Sequence, residues 1–299
     1  MKGTKFTGIL PAFITPFKED NKTINGPVAE LMVDKIIEQG GNGFYILGGT
    51  GEGLVLNREQ REELCEIVVK HNAGRKAVIT HVASMNLDEA CELAKHAERV
   101  GADAIASVPP FFFYYDPTDI YNYYKKLASS VNIPVIIYYH PSAQKDMSAD
   151  LIAKIFEIDN VTGVKWSSNN FFEMMKLKTI TQGDMNIING PDELLLCGLC
   201  AGADAGIGAT YTAMLPEFVR LYNCVQEGKI AEAQQIQYKV NKIIGIILRN
   251  ECIPSAKYAA SMLGYDVGNA TYPMRQFTEE QKKQFEADVR AAGFPFHKI

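Results

Sequence analysis

Eight short apolar runs, separated by longer segments of helical pattern, recur through the chain about every 30 residues, and no other feature narrows its fold so far. The runs are GILPAFITPF (8–17), GFYILGG (43–49), AVITHV (77–82), AIASVPP (104–110), PVIIYYH (134–140), VTGVKWS (161–167), MNIINGP (185–191) and ADAGIGAT (203–210). Most are rich in Val and Ile and show no clean polar alternation, as expected of parallel strands covered on both faces. Between them lie helix signals. NREQREELCEIVVKHNAG carries Asn57 as an N-cap with Gln60 three residues on and Gly74 beyond its end. NLDEACELAKHAERVG repeats its apolar residues three and four apart and stops at Gly101. Eight strand–helix units predict an α/β chain closed into a (β/α)8 barrel, the TIM barrel, and not an open sheet. IAEAQQIQYKVNKIIGIIL and FTEEQKKQFEADVRAAG predict helices after the last strand. The expected organisation is one domain over 1–299, with the barrel to about residue 225 and a C-terminal helical extension from about 226 to 299.

A barrel of this kind carries its chemistry at the C-terminal ends of its strands. On the sixth strand, TGVKWSS places Lys165 between Val164 and the chain's one tryptophan, Trp166. Strand alternation turns Gly163, Lys165 and Ser167 to one face and Val164 and Trp166 to the other. If the first face is the barrel interior, desolvation there penalises the ammonium form, and a neutral amine can form a Schiff base with a carbonyl substrate. The competing reading is a lysine paired with a buried carboxylate.

The second strand ends in GGTGEG (48–53), where glycines permit a tight turn with exposed amides and Thr50 adds a hydroxyl; together they can cradle a carboxylate, or form an ordinary strand–helix turn. The spacing fits neither a dinucleotide fingerprint nor a phosphate P-loop. The fifth strand ends in Tyr138, Tyr139 and His140; a phenol at a barrel mouth can carry a proton, and an aromatic there can equally be core. NGPDE ends the seventh strand with Asp192 and Glu193, which suit either a helix N-terminus or the hydroxyls of a polyol. The eighth ends in GIGATY, with Thr210 and Tyr211.

Several function classes find no support. With 30 basic against 35 acidic residues, a net charge of −5 and no basic block, nucleic acid is not expected as a partner. The aliphatic runs are too short to span a membrane, and the opening MKGTKFTGILPAFITPF has no long apolar core or small-residue cleavage site. With six cysteines in mostly apolar or helical contexts, this reads as a cytoplasmic protein with reduced thiols. CGLC (197–200) reads as packing within an apolar helix. His71, His81, His96, His140 and His297 show no metal-ligand spacing, and no nucleophile-elbow motif occurs.

Three of these motifs, GGTGE, YYHP and GVKWS, in this order and spacing along the full chain, resemble the class I pyruvate aldolases of the dihydrodipicolinate synthase / N-acetylneuraminate lyase family. NGPDE and GIGATY are similar to the patterns of its sialic acid lyase branch, as is the stretch THVASMNLDEACELAKHAERVGADAIASVPPFF. The resemblance implies a lyase splitting N-acetylneuraminate into N-acetylmannosamine and pyruvate through an imine on Lys165. Tyr138 would move the proton of the substrate's 4-hydroxyl. It implies Gly49 and Thr50 at the carboxylate, and Ser167, Gly190, Asp192, Glu193 and Ala209 around the sugar. The protonated imine is the electron sink, so no metal and no cofactor is implied. A homotetramer is the family's assembly, with PPFFFYYD (109–116) a plausible contributor. Counted forward from Pro134, Tyr138 takes the place of the family tyrosine; a gap inside YYHP gives that place to Tyr139. Gly49 stands where the family usually has Ser or Thr, and Ala209 where the lyases have Ser. Phe112 stands where the synthases have a relay tyrosine, and YYHPSAQ lacks their arginine after the proline; both count against the synthase. The alternatives are an aldolase of the same family acting on another 2-keto-3-deoxy sugar acid, the synthase itself, and a non-catalytic sugar-acid binding protein on the same fold.

Overall fold

Each apolar run forms a parallel strand in the computed structural model, which describes residues 3–143 and 147–294. Gln144, in the stretch after Pro141, and His297 lie outside the described residues. The strands are β1 (Gly8–Pro11), β2 (Gly43–Ile46), β3 (Ala77–His81), β4 (Ala104–Ser107), β5 (Val135–Tyr139), β6 (Val161–Trp166), β7 (Asn186–Asn189) and β8 (Ala205–Gly208). They pair in the order β1-β8-β7-β6-β5-β4-β3-β2. A parallel bridge between Ala12 and Tyr45, with the Phe13 amide donating to the Tyr45 carbonyl at 2.9 Å, joins the two edges and closes the ring. β1 stops at Pro11, well short of its apolar run; Pro11 and Pro16 have no amide to extend the ladder, although 12–17 stay buried.

Helices α1 (Gly26–Glu38), α2 (Arg58–Asn72), α3 (Leu87–Val100), α4 (Pro117–Ala128), α5 (Ala149–Phe156), α6 (Phe171–Ile180), α7 (Leu195–Cys200) and α8 (Tyr211–Gln226) follow the strands in turn. Then come α9 (Ile230–Arg249), α10 (Cys252–Met262) and α11 (Glu279–Ala291). The start of α2 is the capping box the sequence predicts, with Asn57 and Gln60 exchanging side-chain and backbone bonds. α3 ends on Gly101 in the left-handed conformation.

Two apolar cores result. One fills the barrel with Leu10, Tyr45, Ile79, Ile136, Ile188 and Ile207, and the other lies between strands and helices. A bulge sets the phase of β6: Val135 pairs with Val161, but Ile136 pairs with Gly163, leaving Thr162 as the extra residue. Val161 therefore packs outward, and beyond the bulge Val164 and Trp166 also belong to the outer core while Lys165 turns to the interior.

Candidate active site

Lys165 is buried at 5% exposure in the upper barrel, in register with Tyr138 on β5 and Ile188 on β7. Its Nζ lies 4.1 Å from the centre of the Tyr138 ring and 4.4 Å from that of Tyr45. Among the described residues no carboxylate lies within salt-bridge distance of it. The sequence left open whether this lysine serves a buried ion pair; among the described residues the buried lysine that forms one is Lys257.

The two tyrosines of β5 part company at this point. Tyr138 is half-buried inside the barrel, edge-on to Tyr45 at 6.0 Å, to His81 at 5.8 Å and to His140 at 6.1 Å. Tyr139 faces the other way and packs on Trp166 at 4.8 Å in the outer layer. Only Tyr138 can approach a group bound to Lys165. A cavity of about 270 Å³ opens over Tyr138, with Gly49, Leu54, His81, Phe111 and His140 in its wall.

Gly49 and Thr50 lie at the edge of this mouth, exposed and half-buried respectively. Among the described residues no group accepts from their amides, so both are available to an anion. A Cβ on Gly49 would meet no atom within 4 Å, so the missing hydroxyl is not forced by crowding. The turn beneath is held tightly: Thr15 Oγ1 donates to the Gly51 carbonyl at 2.6 Å, and Leu47 and Glu52 both take the left-handed conformation.

The remaining strand ends supply a second group. Ser167 and Gly190 touch, and a Cβ on Gly190 would strike the Ser167 side chain; the Gly190 amide donates to the Trp166 carbonyl at 2.9 Å. Asp192 is buried, and its carboxylate accepts from the Ala209 amide at 3.1 Å, the Thr210 amide at 2.6 Å and the Thr210 hydroxyl at 2.7 Å. It thereby ties the β7 loop to the end of β8. Burial, opposed by these hydrogen bonds, raises its carboxyl to about 6. Glu193 is half-buried, and α9 braces the loop: Gln237 Nε2 donates to the Asp192 carbonyl at 3.1 Å and Asn241 Nδ2 to the Glu193 carbonyl at 3.0 Å.

The sequence profile of the dihydrodipicolinate synthetase family matches residues 5–292. The chain belongs to that family. It is 35% identical over 243 residues to the N-acetylneuraminate lyase of Mediterraneibacter gnavus, covering 80% of this chain and 76% of the relative. Among solved structures, the N-acetylneuraminate lyase of Proteus mirabilis superposes with a TM-score of 0.92 at 29% identity, over 97% of this chain and all of the other. A dihydrodipicolinate synthase superposes almost as well, at 0.90 and 30% identity over the same shares. The fold is thus the (β/α)8 barrel with C-terminal helices, and the chain is a member of an aldolase family.

Three residues at this family member's barrel mouth escaped the sequence reading. Tyr45 is fully buried beside Lys165, and its hydroxyl finds no partner among the described residues. Alternation along β2, which sends Phe44 outward, could have found it. His81 bonds the Leu47 carbonyl through Nδ1 at 3.1 Å and the Val108 amide through Nε2 at 3.3 Å. These partners require a neutral ring protonated on Nδ1. Glu52, read only as part of a glycine-rich turn, is a buried carboxylate whose Oε1 lies 2.6 Å from Lys257 Nζ on α10. Burial pulls the Lys257 ammonium down to about 8, against the pull of Glu52. The CGLC segment differs from expectation too. α7 is only six residues long and turns Cys197 and Cys200 out to the surface, while Leu195, Leu196 and Leu199 do the packing.

Among the described residues no three His, Cys, Asp or Glu side chains converge as a metal site would require, and no helix is long and apolar enough to cross a membrane.

Proposed function

We propose that this chain is a Schiff-base aldolase that cleaves N-acetylneuraminate into N-acetylmannosamine and pyruvate. The observation that carries the reading is a buried Lys165 with no carboxylate in salt-bridge distance among the described residues and the Tyr138 ring 4.1 Å away. In this reading the Lys165 amine adds to the C2 ketone of the open-chain sugar acid and water leaves, giving a protonated imine. Tyr138 conducts the proton away from the 4-hydroxyl as the C3–C4 bond breaks, and the bonding pair moves into the imine to form an enamine. Protonation at C3 and hydrolysis release pyruvate and return the amine. The imine is the electron sink, so the cycle needs neither metal nor cofactor. The Gly49 and Thr50 amides and the Thr50 hydroxyl bind the carboxylate. Glu193, Ser167 and Gly190 meet the sugar, while Asp192 acts from behind by holding Ala209 and Thr210 in place.

The sialic acid reading is supported by the lyase-like NGPDE and GIGATY ends, by Phe112 in place of the synthase tyrosine, and by relatives named N-acetylneuraminate lyase. A second reading, cleavage of a shorter 2-keto-3-deoxy sugar acid, is favoured by two observations: Ala209 offers no hydroxyl, and the Asp192 carboxylate is already engaged. Pyruvate release from N-acetylneuraminate and from 2-keto-3-deoxygluconate, measured side by side, separates them. Equal or better turnover of the shorter acid overturns the substrate assignment. Borohydride reduction in the presence of pyruvate should add a mass to Lys165, and Lys165→Ala should abolish both the adduct and turnover. A Lys165→Ala enzyme with activity near wild type would refute the imine, and a wild-type protein that gives no adduct would leave only a binding role. We take the working form to be a cytoplasmic homotetramer.

A further inference from the structure

Glu52 and Lys257 are 3% and 1% exposed and meet at 2.6 Å, although they stand 205 positions apart in the chain. The contact is part of a closed network. Glu52 Oε2 accepts from the Thr271 amide at 2.6 Å and from its hydroxyl at 2.7 Å. Lys257 Nζ donates to the Asn269 carbonyl at 2.9 Å and sits 4.1 Å over the Phe17 ring. Every one of Lys257, Asn269 and Thr271 lies beyond the barrel, in α10 and the segment after it. Glu52, by contrast, is two residues from Thr50, in the turn that brings Gly49 to the cavity wall. Its backbone is left-handed, with φ at 59°, and its amide donates to the Gly49 carbonyl at 3.0 Å. A non-glycine residue keeps that conformation only where its surroundings enforce it.

An ion pair buried this deeply is a poor source of stability, since apolar residues of the same volume usually serve as well or better. What it supplies is a fixed geometry and a neutralised charge. We propose that Glu52 and Lys257 are positioning residues for substrate carboxylate binding, through which the C-terminal extension fixes the shape of the Gly49–Thr50 turn and neutralises the Glu52 carboxylate within it. The inference rests on the reading of that turn as the carboxylate site. Without Lys257, the Glu52 carboxylate stays buried two residues from Thr50 and repels the incoming anion, and the turn loses one of the contacts that hold its left-handed residue. Without either charge, the repulsion disappears and only the loosened geometry remains.

The test uses the full-length protein, with pyruvate and borohydride, and reads two quantities separately: the pyruvate concentration that half-saturates adduct formation and the maximal adduct yield. Lys257→Met should raise the half-saturating concentration roughly 10- to 100-fold, the order expected for one uncompensated charge acting through a low-dielectric interior. Its maximal yield should fall much less. Glu52→Gln/Lys257→Met should recover most of the lost affinity, a pattern that general loosening cannot produce. Thr271→Val, which keeps its shape and removes one donor to Glu52, should show a smaller rise of the same kind; it serves where Lys257→Met does not fold. If the folded variants half-saturate at the wild-type concentration, or if yield and affinity fall together, the positioning role is overturned while the imine reading stands. If wild type itself gives no adduct, the imine reading fails and takes this one with it.

Discussion

His81 shows how one side chain can be fixed in one protonation state by its neighbours. Leu47 accepts from it, Val108 donates to it, and burial, with Arg61 and Lys165 as like-charged neighbours, pushes its imidazole down to about 3 from 6.5. The unfolded chain takes up a proton as pH falls through 6.5, whereas the folded one resists until about 3. Stability due to neutral His81 is therefore complete above pH 6.5 and is lost as pH falls toward 3. Asp192 works in the opposite sense: its folded carboxyl, near 6 against 3.8, takes up its proton first, so its contribution grows as pH falls from 6 to 3.8. The two partly cancel in wild type. His81→Gln should unmask Asp192, so that the wild-type minus variant stability, from urea melts at pH 4 to 6, rises with pH by about 1.4 kcal/mol per pH unit and levels off above about pH 6.5. Parallel curves would sink the assignment. The two tyrosines of β5 also differ at this scale. Spacing could not separate Tyr138 from Tyr139, because a one-residue gap inside YYHP is silent in sequence. Strand phase separates them, since only Tyr138 shares the interior with Lys165. Tyr138→Phe should lower the pyruvate-release rate roughly 10²- to 10⁴-fold. Tyr139→Phe should stay within a few-fold of wild type; if it shows the larger loss, the proton carrier has been misassigned.

At the level of elements, the strands were legible because a strand covered on both faces must be apolar throughout, and the helices because capping and period are local signals. What could not be read were features made by residues distant in the chain or by a shift in phase. Strict alternation from Val161 would put Lys165 on the same face as Val161, yet Val161 packs outward; only the Thr162 bulge reconciles them, and the single sequence carries no mark of it. Glu52 likewise looks like any turn acid until Lys257 and Thr271 fold back onto it. The turn that bears Glu52 makes its own prediction. A Cβ on Gly53 would sit inside the Leu47 carbonyl, where only backbone could give way, while one on Gly49 meets nothing. Gly53→Ala should therefore cost about 2–4 kcal/mol of unfolding free energy, against a negligible change for Gly49→Ala. Equal melting temperatures for the two variants would mean that the turn is not the rigid frame described above.

For the whole molecule, the segment leaving β4 links site and surface. Phe111 lines the cavity over Tyr138, while the next three residues, Phe112, Phe113 and Tyr114, are 88%, 64% and 81% exposed. Phe112 adopts a left-handed backbone with φ at 82°, rare for a bulky residue, and its ring meets Phe113 edge-on at 5.1 Å. Adjacent aromatics presented to water in this way mark an association surface more often than a monomer's exterior. A second copy of this chain is the occupant that agrees with the proposed tetramer, and covering these rings would also fix Phe111 at the cavity wall. Sedimentation of wild type should then give about four times the 33.1 kDa chain mass. Phe112→Ser/Phe113→Ser should give smaller particles and a higher KM for the sugar acid, since Phe111 loses its support. A wild-type monomer at micromolar concentration would remove the interface, and smaller particles with an unchanged KM would show that the surface assembles the protein without shaping its site.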